Sequence, residues 1–260
     1  MTEPTSDLVR YGVASGVATI TLDSPTNRNA LSQALMRGLA AHLRTARDDE
    51  AVRVIVLTHT GPVFCSGMDL VEARGTGASA MGVHAFPNIL KSLWNSPKPV
   101  VARVAGPARA GGLGLIAACD VAVCVRSATF AFTEVRLGIL PAVISVTVLP
   151  RLNARAAHEL FLTGSIFDGT RAAEIGLVNA AVEDDELDPA TAAYVGDLVK
   201  GGPTALAAIK GLLRRTPGVG MDEDFAELLA ISAEFFASDE GQEGIRAFAE
   251  KRPPRWVPTD

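Results

Sequence analysis

The chain has 260 residues, 48% of them hydrophobic but only 5% aromatic, and a formal charge of −5. That length suits one sizeable core with a modest appendage. Scattered lysines and arginines, and so few aromatics, leave no basic stripe or stacking platform for nucleic acid or an anionic membrane, so the expected partner is a small molecule.

Val9 to Leu22 alternates apolar and polar residues around Ala14-Ser15-Gly16 and reads as a hairpin. Ser32 is placed to cap a helix running to Asp48 with Leu35, Leu39 and Leu43 on one face, and Val52 to Leu57 reads as a buried strand. The rhythm repeats: a helix around Ile89 to Trp94, a strand Val100 to Val104, a glycine turn, a helix Leu113 to Cys119 and a strand Val121 to Val125. Such alternation predicts an α/β fold with a largely parallel sheet. From Asn153 helical periodicity dominates, over Ala154 to Leu162, Thr170 to Ile175, Ala190 to Leu213 (cut at Pro203) and Phe225 to Glu250. No secretory signal is read between Met1 and Arg10, and no later run is an uninterrupted membrane span. Cys65, Cys119 and Cys124, odd in number and irregular in spacing, argue against a disulfide framework and for a reducing, cytoplasmic setting.

Two glycine turns carry the chemistry: Phe64-Cys65-Ser66-Gly67-Met68-Asp69 and Ala110-Gly111-Gly112-Leu113-Gly114, each between a β-branched run and a helix-like stretch. Unpaired N–H groups after a strand and near a helix N-terminus suit one developing oxyanion. Glu134 downstream is the candidate to move a proton, with an ion pair to Arg136 as its ordinary alternative. Gly112-Leu113-Gly114-Leu115-Ile116-Ala117 also matches a dinucleotide fingerprint formally, but Gly106 to Ala110 separates it from its strand, where the fingerprint needs the first glycine to end the strand.

In order along the chain, Asn29-Ala30-Leu31, the two glycine turns, Pro99-Val100-Val101-Ala102, Ala118-Cys119-Asp120, Glu134 before Leu137-Gly138, Gly176-Leu177-Val178 and Glu250-Lys251-Arg252 resemble the crotonase, or enoyl-CoA hydratase/isomerase, superfamily. The resemblance implies a crotonase-like ββα spiral core over residues 1–195, with a C-terminal helical oligomerisation region over 196–260. It implies oxyanion donors at the Met68 and Gly111 N–H groups, Glu134 as proton carrier, and acyl-CoA contacts from Arg28, Ala30, Ser66, Met68, Asp69, Leu70, Gly111 and Lys251. No separate cofactor is needed, coenzyme A being part of the substrate, and no metal ligand set is read. A homotrimer or dimer of trimers is expected, with Phe235-Phe236 at subunit contacts.

The chain departs from the two-glutamate hydratases of the family at Gly114, where they carry a first glutamate. The sequence therefore leaves three outcomes: hydration of the 2,3 double bond with Glu134 alone, which the likeness of Glu134 to Ser145 to bacterial methylglutaconyl-CoA hydratases favours; isomerisation by a Glu134 proton shuttle; or acyl-CoA binding with little turnover. Arg109 is a candidate partner for an acidic acyl group. Met81, His84 and Phe86, after the small-residue run Arg74 to Ala80, are expected over the acyl pocket.

Overall fold

The computed structural model describes residues 8–69, 72, 85–216 and 220–258. The opening hairpin, β1 (Val9–Ala14) and β2 (Val17–Leu22), is antiparallel and closed by Ser15 and Gly16 at φ +47° and +75°. Next come α1 (Gln33–Asp48), β3 (Val54–His59), α2 (Phe86–Trp94), β4 (Val100–Val104), β5 (Ala108–Arg109), α3 (Gly111–Ala118), β6 (Val121–Val125) and β7 (Thr129–Ala131). A 3-10 turn at Thr133–Leu137 leads to α4 (Ala142–Val148), α5 (Ala154–Thr163), β8 (Phe167–Asp168), α6 (Gly169–Glu174) and β9 (Ala180–Val182). The chain continues through α7 (Leu187–Leu198), α8 (Pro203–Leu212), α9 (Met221–Ala237) and α10 (Asp239–Glu250).

The main sheet runs β1-β2-β3-β4-β6-β9, parallel except at the hairpin edge. Strand β3 begins two residues later than the apolar run suggests, because the Val52 N–H turns back to the Asp49 carbonyl. One sheet face, with Ile20, Leu22, Ile55, Leu57 and Val104, joins the main core with helices α1, α2 and α3. The other, with Val54, Val56 and Val101, meets Val195, Leu198 and Val199 on and beside α7. Strand β9, inside the region read as helical, adds the far edge.

A second sheet, β5-β7-β8, stands behind the site. Its strands are two or three residues long, too short to leave a period in sequence. The run Phe225 to Glu250 is two helices, because the Ser238 hydroxyl caps α10 by accepting the Gly241 N–H at 3.0 Å. Among the described residues no helix is long and apolar enough to cross a membrane.

The C-terminal segment returns to the start of the fold. Arg53 donates to the Gly201 carbonyl at 2.7 Å and to the Trp256 carbonyl. Glu243, almost hidden, accepts from Arg252 at 2.7 and 3.2 Å and from the Arg255 N–H at 3.0 Å.

Asn29 fastens the hairpin exit to the loop after β3. Fully buried, it accepts the Ser24 N–H at 2.7 Å and donates to the Thr60 and Val63 carbonyls at 3.0 and 2.8 Å, with its own backbone at φ +52°. Asn29→Ala strands a buried donor and forces alanine into a left-handed conformation, so a loss of about 3 kcal/mol is expected in urea denaturation. A loss below about 1 kcal/mol, the size of one ordinary hydrogen bond, would mean that the loop is held elsewhere.

Candidate active site

Hydrogen bonds between extended segments bring the two glycine turns together. The Leu31 N–H donates to the Gly67 carbonyl at 2.8 Å and the Ser66 N–H to the Arg28 carbonyl at 3.1 Å, tying the first turn to the hairpin exit. The Phe64 N–H donates to the Pro107 carbonyl at 2.9 Å and the Arg109 N–H to the Cys65 carbonyl at 3.0 Å, tying it to the second turn. The Ala110 N–H then donates to the Ala131 carbonyl at 3.3 Å, at the end of the strand that leads to Glu134.

Glycine makes this approach possible. A Cβ on Gly67, whose φ is +92°, would lie 3.0 Å from the Ala110 Cβ and 3.7 Å from the Gly111 nitrogen. One on Gly112 would lie 2.7 Å from the Cys65 carbonyl oxygen. At these two positions the missing side chains make room for the facing turn.

Ser66, Met68, Ala110, Gly111 and Glu134 line one cavity of about 260 Å³. Among the described residues, no hydrogen bond within the protein engages the N–H of Met68 or Gly111. Both amides are thus free donors at the wall of the cavity that holds the carboxylate. Ala110, between them in the chain, has φ +48° and ψ −116°, a conformation that costs a non-glycine residue about 1–3 kcal/mol. Strain immediately before the second donor marks residue 110 as part of the site, and alanine gives no sequence signal for it.

Glu134 lies at the start of the 3-10 turn and is 7% exposed. Its Oε2 is buried without a partner, and burial raises its pKa above the ordinary glutamate value. No ion pair with Arg136 forms, since that guanidinium donates instead to the Gly164 carbonyl at 3.2 Å. Among the described residues, Ser66 and Thr133 are the other polar side chains in the lining; the rest is apolar, including Phe86, Leu137, Ile139, Leu140, Val143 and Ile144.

At Gly114 the space is filled. A Cβ there would lie 2.6 Å from Ile144 Cγ2 and 3.6 Å from Leu90 Cδ2, so α4 and α2 close over the position.

The remaining expected residues divide. Ala30 is buried beside the first turn, and Phe86 reaches the cavity. Arg28 contributes its carbonyl to Ser66, while its side chain is exposed and outside the cavity lining. Asp69 accepts the Glu72 N–H at 3.3 Å. Lys251 ends α10 at φ +54°, beside the Glu243 cluster, and does not line the cavity of its own chain. Leu70, Met81, His84 and the run Arg74 to Ala80 lie outside the described residues.

Arg109 is a correction. Its guanidinium donates to the Ala108 carbonyl and the Thr129 hydroxyl at 2.8 and 2.9 Å, turned to β7 and absent from the cavity wall. Cys65 is buried, with its thiol pushed up to about 12, and is packing rather than a nucleophile. His59 accepts the Ala105 N–H at 3.1 Å through Nε2, a role that requires the neutral ring.

Two free amides beside a buried carboxylate in an apolar cavity are an arrangement able to stabilise an oxyanion and to move a proton. The chain belongs to the enoyl-CoA hydratase/isomerase family, whose profile matches residues 12–258. It is 44% identical to an enoyl-CoA hydratase from Mycobacterium avium, covering 96% of this chain and 99% of that one with a TM-score of 0.73. An enoyl-CoA hydratase from Mycobacterium smegmatis is 32% identical over 96% of this chain and 98% of its own, with a TM-score of 0.87. Mouse mitochondrial methylglutaconyl-CoA hydratase is 30% identical over 253 residues, 93% of this chain and 79% of that protein. The fold is therefore the crotonase fold, with the C-terminal helices present.

Ala110→Val puts a β-branched residue at φ +48° and is expected to cost about 2–3 kcal/mol. Turnover should fall roughly 100-fold at temperatures where the variant is still folded, as when an oxyanion donor is lost. Thermal unfolding and steady-state rates measured together check this; full turnover in a folded variant would free the second donor from residue 110.

Proposed function

We propose that the chain hydrates 2-enoyl-CoA thioesters with Glu134 as its single proton-carrying carboxylate. The observation that carries this is the unpartnered, buried Oε2 of Glu134 in one cavity with two free amides. The thioester carbonyl oxygen would accept from Met68 and Gly111. As a water oxygen bonds to C3, the 2,3 π pair moves toward the carbonyl and negative charge builds on the oxygen between those donors. Glu134 takes the proton that water releases and returns one to C2, leaving the carboxylate as it began. A pKa raised by desolvation suits a group that must both take and give.

A second reading rests on Ile144, which fills the space beside Gly114 and leaves no second carboxylate in the described lining. One carboxylate suffices to move a proton from C2 of a 3-enoyl-CoA to C4 through the same enolate, giving the 2-enoyl isomer. The name of the mouse relative suggests an acidic acyl group, but the described cavity wall carries no cation, which supports an uncharged one. Three buried free thiols fit a cytoplasmic location.

Assays with crotonyl-CoA and a 3-enoyl-CoA separate the readings: hydration without isomerisation is expected, and the reverse would install the isomerase. Tight binding of both without product would leave a binding protein. Glu134→Gln is expected to lower turnover by about 10²–10⁴-fold. Because the folded pKa is raised, the stability linked to protonation is full below about 4.5 and is lost as pH rises through the folded value. The glutamine variant should therefore unfold at a higher temperature than the parent at pH 8, with the gap narrowing toward pH 4; equal unfolding temperatures at pH 8 would contradict a destabilising buried charge.

We further propose a homotrimer or a dimer of trimers. Helix α9 buries none of its residues, although Phe225, Leu229 and Phe236 are 65, 71 and 64% exposed, so a partner copy is expected to cover them. Sedimentation should give three or six times the 27.1 kDa chain mass; a monomer at micromolar concentration would refute the assembly.

A further inference from the structure

Glu134 is the one carboxylate in the described lining of the catalytic cavity, and a Cβ on Gly114 would meet Ile144 at 2.6 Å, so that position offers no second. A single carboxylate holds a water molecule at one point, through the proton it will take. The direction of the attacking lone pair is then still open, and addition to a double bond needs that direction set. The described lining holds two hydroxyls able to set it, those of Ser66 and Thr133. Neither has a hydrogen-bond partner among the described residues.

Elsewhere in the chain such hydroxyls are spent on the backbone. Thr45, Thr163 and Thr191 each donate to the carbonyl four residues back, at 3.2, 2.7 and 2.7 Å, and the Thr147 hydroxyl lies 3.2 Å from the Gly114 and Ile144 carbonyls. A bond to the carbonyl four residues back needs a helical turn behind the residue. Thr133 has none: it opens the 3-10 turn, and extended β7 lies behind it. The fold therefore leaves its hydroxyl over, on a partly buried residue that shares the cavity with Glu134. Position separates the two candidates. Ser66 belongs to the turn that carries the Met68 amide, where the thioester oxygen would sit, whereas Thr133 directly precedes Glu134, which would face C2 and the incoming water.

We infer that the Thr133 hydroxyl is a further catalytic group, which holds the attacking water opposite C3 by accepting one of its O–H bonds while Glu134 accepts the other. The inference rests on the hydratase reading above and names the second holder of its water. In the step, the water oxygen bonds to C3 as its O–H bond toward Glu134 breaks. The carboxylate keeps that proton until C2 takes it, and the O–H bond toward Thr133 survives as the hydroxyl of the product. Thr133 exchanges no proton, so Glu134 stays the single carrier. An uncharged acceptor also adds no like charge beside a carboxylate that is already desolvated.

Two variants of the full chain test this: Thr133→Val keeps the shape without the hydroxyl, and Thr133→Ser keeps the hydroxyl without the methyl group. With crotonyl-CoA, Thr133→Val should lower kcat at least about fivefold, the effect of one hydrogen bond lost from the transition state, while KM stays within about threefold. Thr133→Ser should keep more than about half of the parent kcat. A smaller loss in Thr133→Val would overturn the inference, as would equal losses in the two variants, which would make the residue a packing element. A fivefold loss in Ser66→Ala with none in Thr133→Val would give the role to Ser66 and overturn it equally. If thermal unfolding shows Thr133→Val unfolded at the assay temperature, Thr133→Ala takes its place under the same thresholds. A parent that adds no water to crotonyl-CoA would remove the hydratase reading itself, an outcome distinct from an active parent whose Thr133→Val variant is equally active.

Discussion

The placing of the two free amides beside Glu134 depends on a short row of main-chain hydrogen bonds that crosses four segments distant in sequence. Leu31, the Phe64 to Met68 turn, the Pro107 to Ala110 turn and β7 are laced edge to edge at 2.8 to 3.3 Å. Because the links are backbone to backbone, they position two amides without depending on a flexible side chain. An oxyanion hole works only if its donors need no reorganisation when charge develops, and a rigid peptide frame meets that condition. Steric limits enforce the same geometry, since any Cβ on Gly67 or Gly112 would push the turns apart.

Within that frame, the electrostatics follow from burial. Glu134 is kept from solvent by an apolar wall and, among the described residues, is given no cation to neutralise it. The wall that raises its pKa also lines the cavity, so on the proposed function desolvation of the carboxylate and recognition of an apolar substrate would share one origin. Ile144 serves both: it excludes a second carboxylate at position 114 and forms part of the surface a substrate would touch. Retaining an unpaired buried carboxyl group and a strained Ala110 costs stability, a pattern expected where function overrides local preference.

Local signals made much of the fold legible. The Ser15-Gly16 turn, the Ser32 cap, whose hydroxyl accepts the Leu35 N–H at 3.2 Å, and the strands Val100–Val104 and Val121–Val125 all lie where residue type and periodicity put them. Strands β5, β7, β8 and β9 were not legible, because two or three residues carry no period and exist only through partners far along the chain. The site divides similarly. Glycines announced both turns, and Glu134 lay in a recognisable motif. The contact of Ile144 with position 114 spans 30 residues, and the direction of Arg109 is decided by Thr129, 20 residues on. Ala110 was hidden for a different reason: its backbone is imposed by the hydrogen bonds around it and not by its own preference.

The fastening at Arg53 has a mechanical consequence. One guanidinium grips the carbonyls of Gly201 and Trp256, and on α8 Lys210 holds Asp120 and the Lys98 carbonyl while Arg214 holds Asn95, so the helical excursion is tied at its two ends and along its first helix. In an isolated chain α9, which buries none of its residues, could fray without transmitting tension to β3 or the paired amides, and a partner copy seated on it would hold it still. Amide exchange in α9 would then be fast in the lone chain and slow in the assembly, while the sheet keeps one slow tempo in both.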